Sequence, residues 1–256
     1  MPVERVRAGR PRLSASTLTK ELSPLSPIRL FCFPHAGGNA RFFAPWRPAL
    51  APGIEVCPIE IPPRAEVARP HATTLAETLA RTVRERSGDR PYGLLGHSMG
   101  ATLAFETARA LAPLPGPRPL CLVVSACAAP GVAEPGAPHA LMGDDELVRA
   151  ITSIGGVPEE LARHPRMLRM HLGTLRWHLD LDRELRARPR TRLDLPLVVY
   201  VGAADRQVDH AELSVWREHG TGPFTFRVFE GDHFYLQGAP AEVMTALVDD
   251  LGAPAG

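Results

Sequence analysis

Six short apolar runs, spaced so that amphipathic helices fit between them, constrain this chain more than any other feature. They are Ile28–Phe33, Ile54–Ile59, Tyr92–Leu95, Leu120–Ala126, Leu197–Gly202 and Phe224–Phe229. They read as apolar runs rather than alternating ones, the pattern of strands covered on both faces of a parallel sheet. Between them, Thr74–Arg86 places Leu75, Leu79 and Val83 four apart, and Pro240–Leu251 repeats Val243, Leu247 and Leu251, each set marking one helix face. Pro240 falls at the first turn of its helix. Met99–Leu111 is small or apolar over most of its surface, as suits a central helix under a sheet. This alternation predicts an α/β fold with a mostly parallel central sheet flanked by helices.

One interval breaks the rhythm. From Ala128 to Pro196 run 69 residues, far more than a crossover helix with two short loops needs. Leu168, Leu172, Leu175 and Leu179 recur there at helical spacing, so residues 128–196 are expected to form a helical lid over a site. Residues 1–27 carry Pro, Ser and Arg without periodicity and are expected to be a mobile arm ahead of one domain over residues 28–256. No apolar h-region follows the arginines of the arm, and no run reaches the roughly 18–20 apolar residues that span a bilayer. A cytoplasmic protein with no membrane contact is therefore expected. The net charge of +1 argues against a nucleic-acid partner.

The chemistry concentrates in a few loops. Gly96-His97-Ser98-Met99-Gly100 follows an apolar run and opens a helical pattern, the strand–turn–helix setting of a nucleophile elbow. A serine hydroxyl is a poor nucleophile until a base takes its proton, and the base needs a third group to orient it. The order Ser, acid, His is met downstream: one strand runs into Gly202-Ala203-Ala204-Asp205 and another into Glu230-Gly231-Asp232-His233. The expected triad is Ser98, Asp205 and His233, with Asp209 as the alternative acid. Asp232 is expected to point away if His233 faces Ser98, and His97 to pack. Oxyanion donors are expected at the backbone N–H of Met99 and, in the loop Phe33-Pro34-His35-Ala36-Gly37-Gly38, of Ala36 or Gly37, with Ala36 preferred.

Other candidates point to blander roles. Cys32, Cys57, Cys121 and Cys127 show no C-x-x-C spacing and are expected as buried free thiols. His164, His171 and His178 recur every seven residues. No carboxylate partner accompanies them, so a solvated or lid-lining face is expected rather than a metal site.

Taken with Gly231-Asp232-His233-Phe234-Tyr235-Leu236, these loops make the chain resemble the type II thioesterases, the free-standing α/β-hydrolases of polyketide and nonribosomal peptide pathways. Asp144-Asp145-Glu146-Leu147 and Gly155-Gly156-Val157-Pro158-Glu159-Glu160 match more weakly, and the whole resemblance spans Ile28 to Leu251. It implies hydrolysis of acyl groups from the phosphopantetheine arm of acyl or peptidyl carrier proteins, a helical lid, and neither metal nor cofactor of the enzyme's own. His35, Leu172 and Leu175 are expected to bind substrate, and a monomer is expected. A carboxylesterase or acyltransferase on the same fold, or a non-catalytic binder, is the alternative. Nine arginines against three carboxylates over Arg163–Arg192 would suit an acidic carrier. One departure concerns the loop after the second strand, where the family's P-G-R turn reads Pro62-Pro63-Arg64; proline cannot take a positive φ, so this loop must turn differently.

Overall fold

The computed structural model describes residues 26–69, 71–132, 142–156 and 164–252. Most of the expected arm, and Val157 to Glu160, lie outside them. Six parallel strands form one sheet in the order β2-β1-β3-β4-β5-β6. They are β1 Ile28–Phe33, β2 Ile54–Pro58, β3 Tyr92–His97, β4 Leu122–Ser125, β5 Leu197–Gly202 and β6 Phe224–Phe229. Among the described residues the α-helices are α1 Trp46–Leu50, α2 His71–Ser87, α3 Met99–Leu111, α4 Asp144–Ser153, α5 Pro165–Arg186 and α6 Ala241–Leu251.

The period of two in each strand divides its side chains between two cores. In β1, Phe31 and Phe33 join the core under α2 and α3, while Leu30 and Cys32 join the core that holds Trp46 of α1 and Val243 and Leu247 of α6. Both faces are therefore dry, and the four strands β1, β3, β4 and β5 are almost wholly buried. β6 departs from that expectation. It is an edge strand with alternating burial, and Phe226 and Val228 are exposed. The polar phases Thr225 and Arg227 show why a run read as apolar was only half so. Pro240 also moves from the first turn to the N-cap of α6, in an extended conformation.

The strand order reverses between β1 and β3. Loops leaving the carboxyl ends of these two neighbours diverge there and open a crevice, the position where open parallel sheets bind ligands. The Phe33–Gly38 loop and the Ser98 turn both start at that point, because Phe33 is in register with Gly96. Above it lie α4 and α5, the described helices of the expected lid, joined by a small core of Leu147, Leu172 and Leu175. Arg176 of α5 ties them further through Asp144 at 2.7 Å and the Met142 carbonyl at 2.9 Å. All four cysteines are buried, and none is in a disulfide. Among the described residues no helix is long and apolar enough to cross a membrane.

The Pro62-Pro63-Arg64 loop solves its turn without a positive φ. Pro63 is extended, at φ −57° and ψ 149°, and leads into a 3-10 turn over Arg64–Glu66. The Trp177 indole N–H donates to the Pro62 carbonyl at 3.3 Å, and the Arg64 guanidinium lies over the Trp177 ring. The loop is thus fastened to α5.

Candidate active site

Ser98 stands between β3 and α3 at φ 55° and ψ −128°, a region that a non-glycine residue occupies at a cost of order 1–3 kcal/mol. The chain meets this cost because its flanks have no side chains. A Cβ on Gly96 would lie 2.1 Å from the Gly100 carbonyl oxygen, and one on Gly100 2.2 Å from the Phe33 carbonyl oxygen. The turn is closed further by Ser98 N–H to the Ser125 carbonyl at 2.8 Å. Strand, turn and helix meet in this tight crossing, which lifts the serine to the end of the sheet.

His233 and Asp205 follow β6 and β5. His233 Nδ1 and Asp205 Oδ2 are 2.9 Å apart, the Asp205 side chain being fully buried. The other carboxylate oxygen accepts the Gln207 N–H at 2.8 Å. The carboxylate is thereby held by both of its oxygens. Asp209 is exposed and accepts the Ala211 N–H just ahead of the following 3-10 helix, while Asp232 accepts the Phe234 N–H. Of the three aspartates, only Asp205 reaches His233.

A cavity of about 330 Å³ brings the other groups together: Ser98, Met99, Ala36, His35 and His233 all line it. Its apolar walls include Leu147 and Ile151 from α4 and Leu175 and Leu179 from α5, and one part is polar, with Asp182 and Arg186 paired at 2.7 Å. The Met99 N–H lies at the first turn of α3, where the helix offers no acceptor. Among the described residues nothing accepts the Ala36 N–H, whereas the Gly37 N–H is taken by His178 Nδ1 at 2.9 Å. That difference separates the two candidate loop donors.

Leu175 lines this cavity and a second one of about 370 Å³, and Leu172 lines only the second. His35 and Ala36 stand where the two meet. The His35 ring packs edge-on between Phe42 and Phe234, and burial together with neighbouring histidines lowers its pKa to about 3, so it is neutral. Leu175→Phe should cut kcat/KM for long acyl thioesters about tenfold relative to the shortest ones, since one misfitting methylene is worth roughly 10-fold or more in a tight apolar pocket. Rates measured along an acyl-pantetheine series test this. A uniform loss at every length would assign Leu175 to holding the lid together.

Behind His233 lies a polar chain that sequence reading left unconnected. His97 is fully buried, its ring centroid 5.3 Å from that of His233. Its Nδ1 is 2.9 Å from Ser125 Oγ, which is 2.7 Å from the Tyr235 hydroxyl. Burial and the nearby His233 and His35 keep His97 well below the ordinary histidine pKa, and burial keeps the Tyr235 phenol protonated. Only pairing distances across β3, β4 and the loop after β6 reveal this chain; no local motif carries it. The three histidines at heptad spacing do not converge: His164 is exposed, His171 lines the second cavity and His178 turns to Gly37. Among the described residues no group of three or more His, Cys, Asp or Glu is placed to hold a metal ion.

With this geometry in hand, comparison with known proteins is decisive: the thioesterase domain family matches residues 28–252. The chain belongs to the thioesterase family. This thioesterase is 33% identical over 240 residues to thioesterase PikA5 of Streptomyces venezuelae, covering 91% of this chain and 85% of that protein. Among solved structures, the RedJ thioesterase from the prodiginine biosynthetic pathway of Streptomyces coelicolor is similar at a TM-score of 0.79 and 32% identity, over 88% of this chain and 91% of that one. The type II thioesterase BorB from the borrelidin biosynthetic cluster is similar at 0.74 and 34%, over 88% and 93%. The thioesterase therefore has the α/β-hydrolase fold, and its six-stranded parallel sheet is the scaffold those relatives share.

Proposed function

We propose that this thioesterase releases acyl groups from the phosphopantetheine arm of acyl or peptidyl carrier proteins through an acyl-enzyme on Ser98. The observation that carries the reading is the shared cavity: Ser98 at a strained apex faces the same space as His233, whose far nitrogen is held by the buried Asp205. His233 Nε2 takes the Ser98 proton as Oγ attacks the thioester carbonyl. Asp205 accepts the Nδ1–H, fixes the tautomer and stabilises the imidazolium. The negative charge on the tetrahedral oxygen is met by the N–H groups of Met99 and Ala36. The carbon–sulfur bond then breaks, the thiol leaves with the proton carried by His233, and water attacks the acyl-enzyme by the same route in reverse. These steps use only side chains, two backbone amides and water.

The lid contributes an apolar chamber for the acyl chain. The second cavity, lined by Asn39, Arg41 and His171, suits the polar pantetheine arm. The arginine-rich stretch shrinks as a docking surface, because Arg176, Arg183, Arg186, Arg188 and Arg190 are ion-paired within the chain. Arg192 donates to the Gly220 carbonyl at 3.2 Å. Among the described residues of the stretch this leaves Arg166 and Arg169, exposed on α5 and close in sequence to the cavity-lining Leu168 and His171, as cations for an acidic carrier. That the structurally similar BorB is named a type II thioesterase of a biosynthetic cluster favours this substrate class over a carboxylesterase or acyltransferase. The test is kcat/KM on a carrier-bound acyl thioester against the same acyl group as an oxygen ester and as a pantetheine thioester. The carrier-bound thioester should be preferred, and raising ionic strength should increase KM for it alone, since exposed charges are screened beyond roughly 8 Å at physiological salt. A preference for oxygen esters, or for an alcohol acceptor over water, overturns the reading.

A further inference from the structure

We propose that His178, on the lid helix α5, is a positioning residue for the oxyanion loop: it holds the Ala36–Gly37 peptide so that the seat of the lid and the seat of the loop donor are set together. The inference rests on the roles given above to Ser98 and Ala36.

The loop is a four-residue turn, closed by the Gly38 N–H to the His35 carbonyl at 3.0 Å. Gly37 sits at φ 76°, and Ala36 is not among the residues of positive φ, which makes it a type II turn. Such a turn has a close competitor. Type I differs by a rotation of the central peptide alone, about 150° in ψ of the second residue and about 170° in φ of the third. The closing bond survives that rotation, so it cannot select between the two.

His178 can. The Gly37 N–H belongs to the central peptide and donates to His178 Nδ1 at 2.9 Å, across 141 residues of chain. If the peptide rotated, the Ala36 carbonyl would face the Nδ1 lone pair, acceptor against acceptor. The histidine is suited to this task because burial lowers its pKa to about 4, which leaves Nδ1 free to accept at neutral pH. Leu175, one turn earlier on α5, supports the same peptide: a Cβ on Gly37 would lie 3.4 Å from its Cδ1. His178 does not line the cavity that holds Ser98, so its influence on the reaction must pass through the turn. A displaced lid helix would release the Ala36–Gly37 peptide. The Ala36 N–H belongs to the adjoining His35–Ala36 peptide, joined to it through the Ala36 Cα, so it loosens with the turn rather than flipping. A donor less firmly fixed beforehand is worth less to the transition state.

The experiment compares His178→Ala and His178→Asn on one acyl-pantetheine substrate, with thermal midpoints and the rate of Ser98 labelling by an alkyl fluorophosphonate. Removing an oxyanion donor outright costs roughly 10²–10³ in kcat, and loosening one should cost less, about tenfold. His178→Ala should therefore lose about tenfold in kcat with KM within about twofold. Labelling should slow by a similar factor, because the phosphonyl oxygen uses the same donors. His178→Asn should recover most of the loss, since its Oδ1 falls close to the position of Nδ1 and accepts from an N–H. Wild-type kcat in His178→Ala overturns the proposal. So does an Asn variant as slow as the Ala variant with both melting lower, which is the behaviour of a packing residue. If His178→Ala does not fold, His178→Asn is compared with His178→Gln, whose acceptor lies one bond further out; equal rates overturn the proposal. Turnover that survives Ser98→Ala would instead refute the reading of the site itself, so the two failures are told apart.

Discussion

Ser98→Ala should abolish turnover, lowering kcat by about 10⁵–10⁶, the scale seen when a serine hydrolase loses its nucleophile while its binding groups stay in place. The variant removes a single oxygen. The turn keeps its Ser98 N–H bond to the Ser125 carbonyl and its close-packed glycines, so the fold should melt where the wild type does. Rates on an acyl-pantetheine thioester, together with circular dichroism, decide the matter. Residual kcat within tenfold of wild type in a folded variant would end the acyl-enzyme mechanism and favour direct attack by water on the thioester.

Asp205→Asn should cost about 10⁴ in kcat, because an amide facing Nδ1 favours the wrong imidazole tautomer and cannot stabilise the imidazolium. KM should change little, as Asp205 lies behind His233 and does not line the cavity. The control is Asp209→Asn. Asp209 is exposed and spends its carboxylate on the Ala211 N–H, so its loss should stay within a few-fold and show mainly in stability. The reverse ranking in steady-state kinetics would mean that the loop after β5 rearranges on binding substrate and delivers the other acid.

Much of the fold was legible because parallel strands buried on both faces leave a strong mark in sequence. β1 and β5 ran to the bounds read from their apolar residues, and β3 ran two residues further, into Gly96 and His97. Those two looked like turn residues but are buried strand ends, because the elbow begins only at Ser98. β6 was misjudged in character rather than place: edge position is a property of the sheet order, and no run of six residues states which neighbour it lacks. Trp46–Leu50 was not anticipated, since five residues hold too little periodicity to stand out.

The candidate site divides the same way. Ser98 was visible because an elbow is a local construction: two glycines and a strand-to-helix change within five residues meet its steric demands. Asp205 and His233 were visible through chain order and their place after strands. Asp205 over Asp209, and Ala36 over Gly37, were preferences in the sequence; the contacts that distinguish them are distances of about 3 Å between groups far apart in sequence. His178 is the sharpest example. A heptad of histidines suggested a lid face, and only the packing of α5 over the β1 loop gave one of them an N–H to hold.

The sequence by itself determined the alternation of strands and helices, the elbow and the acid–base order, because each depends on steric and periodic rules that act over a few residues. The tertiary structure alone supplied the contact that distinguishes Asp205 from Asp209, the loop N–H left without an acceptor among the described residues, and the seat of α5 on the loop after β1. Those are hydrogen-bond questions, settled within a few tenths of an ångström by elements brought together from opposite ends of the chain.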